Sequence, residues 1–76
     1  MTPQEEKIQK LYQRRRELTN LRARIDNQLD RDAYRNSLSD EEREELYQEY
    51  DEAEEEITKI DKEIEKLTSF IKNNRR

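Results

Sequence analysis

The chain has no glycine, no cysteine, no histidine and no tryptophan, and one proline among its 76 residues. Without cysteine there is no disulfide framework and no thiolate nucleophile, and the redox compartment stays undetermined. Without glycine there is no loop of the kind that cradles phosphate. No apolar run is long enough for a signal peptide or a membrane span, so a soluble, cytoplasmic protein is the expectation. Met1, placed directly before a helix-start signal, reads as the beginning of a complete small open reading frame.

What the chain has is charge. Charged residues make up 47% and hydrophobic residues 29%, with a net charge of −4. Such a balance allows one small domain, 1–76, with a thin core. It would also suit a disordered chain, although abundant Glu, Lys, Arg and Gln without glycine favours long helices.

Periodicity decides between the two. Leu46, Tyr50, Ala53, Ile57, Ile60, Ile64, Leu67 and Ile71 are separated by alternating steps of 4 and 3. A strand or a loop cannot produce that heptad seam; a helix burying one narrow stripe against another helix does. Upstream, Ile8, Leu11, Leu18, Ile25 and Leu29 follow the same alternation, with Arg15 and Arg22 filling the missing steps. Two capping signals start the helices. Thr2-Pro3-Gln4-Glu5 combines a cap hydroxyl with proline at the first helical position, and Ser39-Asp40-Glu41-Glu42 repeats the cap with an acidic first turn. The pattern fades between Asp30 and Leu38, where Asn36, Ser37 and Ser39 supply turn chemistry. Helix 3–33, turn 34–39 and helix 40–73 follow, with Arg75 and Arg76 as a frayed basic end.

A short connection makes the two helices antiparallel neighbours. With the turn centred near residue 36, facing residues have numbers adding to 71 or 72. Ile8 then faces Ile64, Leu11 faces Ile60, Leu18 faces Ala53, Arg22 faces Tyr50 and Ile25 faces Leu46. At the ends Met1 faces Ile71 and Leu29 faces Arg43. Residues 1–36 carry net +3 and residues 37–76 net −7, so the helices are also charge-complementary. The predicted fold class is all-α: an antiparallel two-helix, coiled-coil-like hairpin that can dimerise into a four-helix bundle.

Catalysis has little to work with. A nucleophile needs an adjacent base, and a general base acting near neutral pH usually needs burial, which carboxylates on an exposed hairpin lack. No enzyme activity, cofactor, small-molecule substrate or metal site is expected. Glutamates at helical spacing without histidine do not match a carboxylate-bridged metal site or a calcium loop.

Three binding surfaces can be drawn. Arg14, Arg16 and Arg24 form the basic candidate for RNA or DNA, provided they face outward. A small plasmid-type RNA-binding hairpin dimer has a similar architecture, a likeness of fold alone. Asp40 to Glu56 holds eleven carboxylates in seventeen residues, a candidate mimic of a nucleic-acid backbone. Tyr12, Leu21, Tyr34, Tyr47 and Phe70 lie off the seam and are the candidates for a second protein interface, with tyrosine the type enriched there. Arg15 and Arg22 are expected to lay their stems along the seam and reach water or a flanking glutamate, Arg22 stacking on Tyr50. The function expected is non-catalytic: an interaction module binding another protein or itself as a homodimer. A regulator, adaptor or inhibitor of a larger complex fits, with phage or mobile-element proteins as a fitting source. Nucleic-acid binding through the first helix and DNA mimicry through the second are the alternatives.

Overall fold

The computed structural model describes residues 2–74. Thr2 is extended, and its hydroxyl accepts the Glu5 N–H at 3.2 Å, which starts helix α1, Pro3–Arg35. Pro3 occupies the first turn, where its missing N–H costs nothing. Helix α2 is Asp40–Asn74, and its cap is reciprocal. The Ser39 hydroxyl accepts the Glu42 N–H at 3.2 Å, while the Glu42 carboxylate accepts the Ser39 N–H at 3.3 Å. That closes two otherwise unpaired donors at once.

Helix α1 runs two residues beyond the expected end at 33, because nothing before Asn36 stops it. Asn36 takes the left-handed conformation (φ 48°, ψ 46°) and donates its N–H to the Asp32 carbonyl at 2.7 Å. Asparagine tolerates this geometry better than most residues, so it serves where glycine is absent. The turn is therefore Asn36 to Ser39.

The two helices lie side by side in a rod of 58 × 17 × 15 Å. Every seam position from Gln4 to Asp32 and from Arg43 to Ile71 is buried or half-buried. Off the seam, partial cover reaches Glu5, Thr19, Leu21, Leu38, Glu56 and Glu63. The main core cluster is Leu18 with Ala53, Ile57, Ile60 and Ile64, with Leu11 and Leu21 packed against it. Helix α2 supplies four of those five residues, because α1 places Arg15 and Arg22 in its own stripe. Each buried isoleucine contributes about 1.5–3 kcal/mol.

The register follows the expected rule. The Arg22 guanidinium lies 5.9 Å from the Tyr50 ring centroid, the pairing whose numbers add to 72. Ion pairs recur one heptad apart without slipping. Lys7–Glu63 (3.4 Å) and Arg14–Glu56 (3.2 Å) lie on one flank, Arg15–Asp61 (2.6 Å) and Arg22–Glu54 (3.6 Å) on the other. Exposed pairs of this kind add little stability. They flank the seam on both sides and match the basic positions of α1 to the acidic positions of α2. Two expectations rest on residues outside the described ones: Met1, expected to face Ile71, and the frayed Arg75 and Arg76.

At the turn the structure adds a contact to the expected facing of Leu29 and Arg43: Arg43 grips Asp32. The seam alternation runs on from Leu29 to Asp32, so this carboxylate occupies a core position and is only 6% exposed. It accepts the Leu38 N–H at 2.8 Å and a hydrogen bond from the Arg43 Nε. Arg43 in turn donates to Asn36 Oδ1 at 2.6 Å and Asp40 Oδ1 at 2.8 Å. The clamp satisfies the polar groups that the turn would otherwise bury, and no described buried side-chain polar atom lacks a partner.

Candidate interaction surface

Seam geometry divides the outside of the rod into two flanks and two outer helix faces. Residues one step beyond the core stripe are drawn toward the partner helix, and those opposite it face water. Each predicted surface can be placed on this frame.

The basic candidate is partly consumed by the fold. Arg14 donates from Nε and Nη2 to the two oxygens of Glu56, both at 3.2 Å, and from Nη1 to Glu17 at 3.4 Å. The Glu56 hydrogen bonds and charge, then Glu17, raise the Arg14 pKa above its usual value. Arg15 is held by Asp61 in the same way, and Arg22 by Glu54 and Tyr50. Burial pushes the Tyr50 phenol upward, and the charges of Asp26 and Glu54 add to the effect. Arg16 and Arg24 are exposed and take no ion pair among the described residues. They sit with Lys10 and Arg31 on an outer face that also carries Glu6, Glu17 and Asp30, so the free face of α1 is close to neutral.

The five off-seam residues are not brought together. Tyr12 and Tyr47 share the flank of Arg15–Asp61, each about half exposed. The register puts them about 20 Å apart along the rod. Phe70 and Leu21 belong to the opposite flank, about 28 Å from each other by the same rise. Leu21 is half-buried and packs against the core cluster, so it is a core residue rather than a free one. Tyr34 stands on the outer face beside the turn, 93% exposed. These positions form no single apolar patch, and the single exposed aromatics are of the ordinary scattered kind.

The acidic candidate is the best-formed surface. Glu41, Glu44, Glu45, Asp51, Glu52 and Glu55 all face water on the turn-proximal half of α2. Tyr47 and Gln48 lie among them, lining an open depression with Glu44, Asp51, Glu52 and Glu55. Gln48 donates to Glu52 at 3.4 Å. On the opposite flank of α2, at the junction of the helices and the turn, is a second groove of about 280 Å³. Leu38 and Leu46 supply its apolar part, with Arg31, Glu42, Glu45 and Glu49 around them. Helix α2 changes sign along its length: beyond Ile57 its outer face carries Lys59, Lys62, Lys66 and Lys72 against Glu65 alone.

Among the described residues no group of three or more carboxylates is arranged to hold a metal ion, and no helix is long and apolar enough to cross a membrane. The sequence reading missed Asp32. Its signal was present: the 3–4 alternation continues through it, but a count of apolar residues stops at Leu29. The Arg43 hydrogen bond, then the Leu38 N–H, hold the Asp32 carboxyl below the usual carboxylate range. No protein-family model, curated protein or solved structure matches the chain.

Proposed function

We propose that this chain is a non-catalytic protein-interaction module of the cytoplasm whose contact surface is the turn-proximal half of α2. The observation that carries the reading is the density of exposed carboxylates outside any ion pair among the described residues on the turn-proximal half of α2. Arg14, Arg15, Arg22 and Arg43 are spent within the hairpin. Six carboxylates of the turn-proximal half of α2 face outward instead, four of them lining the depression at Tyr47. A dense set of like charges on a rigid helix attracts an oppositely charged surface over roughly a Debye length of 8–10 Å and speeds encounter. An exposed tyrosine beside it supplies the amphipathic contact typical of an interface centre. The Leu38–Leu46 groove can take the aliphatic stem of a lysine or arginine while Glu42, Glu45 and Glu49 meet its charged head.

The partner on this reading is a protein with a basic surface. Blocking a nucleic-acid-binding protein by backbone mimicry is the special case in which that surface is a DNA or RNA site. Direct nucleic-acid binding through α1 is the weaker reading, because Arg14 is already paired and only Arg16 and Arg24 of the three are unpaired.

Affinity capture from lysate, with and without nuclease, separates these readings. Capture of a basic protein that survives nuclease, weakens with salt and is lost in Tyr47→Ala and Glu44→Gln/Glu55→Gln supports the proposal. Binding to labelled RNA or DNA, abolished by Arg14→Glu/Arg16→Glu, overturns it in favour of the basic face.

A further inference from the structure

The heptad phase does not change at the turn. Counting in sevens from Ile8, one core position recurs at Arg15, Arg22, Leu29, Asn36, Arg43, Tyr50, Ile57, Ile64 and Ile71. The other recurs at Leu11, Leu18, Ile25, Asp32, Ser39, Leu46, Ala53, Ile60 and Leu67. If residues 36 to 39 were helical, α1 and α2 would join into one helix with one unbroken seam. The turn also contains neither glycine nor proline. Only the left-handed Asn36, the Ser39 cap and the Asp32 clamp interrupt the helix.

We propose that the chain opens at Asn36–Ser39 into a continuous helix and pairs antiparallel with a second copy in the same register. Facing residues whose numbers add to about 72 inside the hairpin add to the same value between two copies. The Leu18–Ala53, Leu11–Ile60 and Arg22–Tyr50 pairings are all retained, now between chains. Asn36 meets Asn36 of the second copy at the dyad, a seam position where asparagine pairs well across helices and specifies register. Asp32 keeps its reach to Arg43, again between copies.

The seam therefore does not discriminate between the two arrangements; the turn and concentration do. Closing within one chain acts at a high effective concentration, so the hairpin prevails in dilute solution. A hinge held in a left-handed conformation without glycine favours exchange when copies are abundant. The open pair brings the two acidic segments 40–56 together on either side of the dyad.

The turn variant Asn36→Ala/Ser37→Ala/Ser39→Ala removes the left-handed residue and the cap while favouring helix. Light scattering with small-angle X-ray scattering is expected to show a twofold rise from 9.4 kDa. The maximum dimension should grow from 58 Å to about 108 Å at 1.5 Å per residue. A helical variant that stays at the monomer mass up to millimolar concentration overturns the proposal. So does a doubled mass at a length near 60 Å, which would be closed hairpins side by side. A variant that loses its helicity shifts the decision to the otherwise native chain, spin-labelled at Asn27→Cys or Asn20→Cys after refolding at millimolar concentration. The open pair predicts separations of about 27 and 48 Å from the helical rise. Absence of dipolar coupling at both sites overturns the proposal.

Discussion

Asp32 is the residue on which the turn depends. It is a carboxylate in a core position, and it is tolerated because Arg43 and the Leu38 N–H satisfy both oxygens. Since its carboxyl titrates lower in the folded chain than in the unfolded one, the stability it contributes is complete above the ordinary carboxylate pKa. That stability is lost as pH falls through the lower, folded value. Asp32→Asn should lower the thermal midpoint by several degrees at pH 7. The gap between the variant and the native chain should close as pH falls below about 4. Thermal melts from pH 7 to pH 2 followed by circular dichroism check this; a gap that widens in acid would contradict it. Arg15 is the opposite case, a cation in the apolar stripe whose head escapes to Asp61. Arg15→Leu should raise the melting midpoint by a few degrees, because a leucine fills the seam beside Ile57.

At the scale of the element, the seam is where sequence and structure agree most closely. Ile57, Ile60 and Ile64 were recognisable as core because their spacing alone makes them neighbours on one helix face, and all three are buried. The Arg22–Tyr50 contact was legible for the same reason, once the turn was centred near residue 36. Asp32 was not, because an apolar count passes over a charged residue even when it keeps the phase. The end of α1 was not legible either: Asn36 stops the helix by adopting a positive φ, and no proline or glycine announces it. The candidate interface was legible as a set of residues but not as a surface. Tyr12, Leu21, Tyr34, Tyr47 and Phe70 differ in heptad position, so they spread over two flanks and an outer face. Ile60→Ala should cost about 2–5 kcal/mol, a cavity in a core too thin to collapse around it. Thr68→Ala, an exposed change on the same helix, should stay within about 0.5 kcal/mol. Chemical denaturation of both variants makes the comparison, and equal losses would mean that the seam is not the source of stability.

For the molecule as a whole, the hairpin is a thin rod that pairs Arg14, Arg15, Arg22 and Arg43 internally, shows carboxylates on the turn-proximal half of α2 and lysines on its far half. Its core is one stripe wide, so stability is small and comes mainly from burial along that stripe. The Lys7–Glu63 and Arg14–Glu56 pairs lie on one side of it and Arg15–Asp61 and Arg22–Glu54 on the other.

The central claim is that the isolated chain closes on itself, and small-angle scattering of a dilute solution tests it most directly. The closed hairpin predicts a mass of 9.4 kDa and a radius of gyration near the 17.1 Å of its Cα trace. A monomer with a radius of gyration of about 27 Å, the size of an unfolded chain of this length, would contradict it.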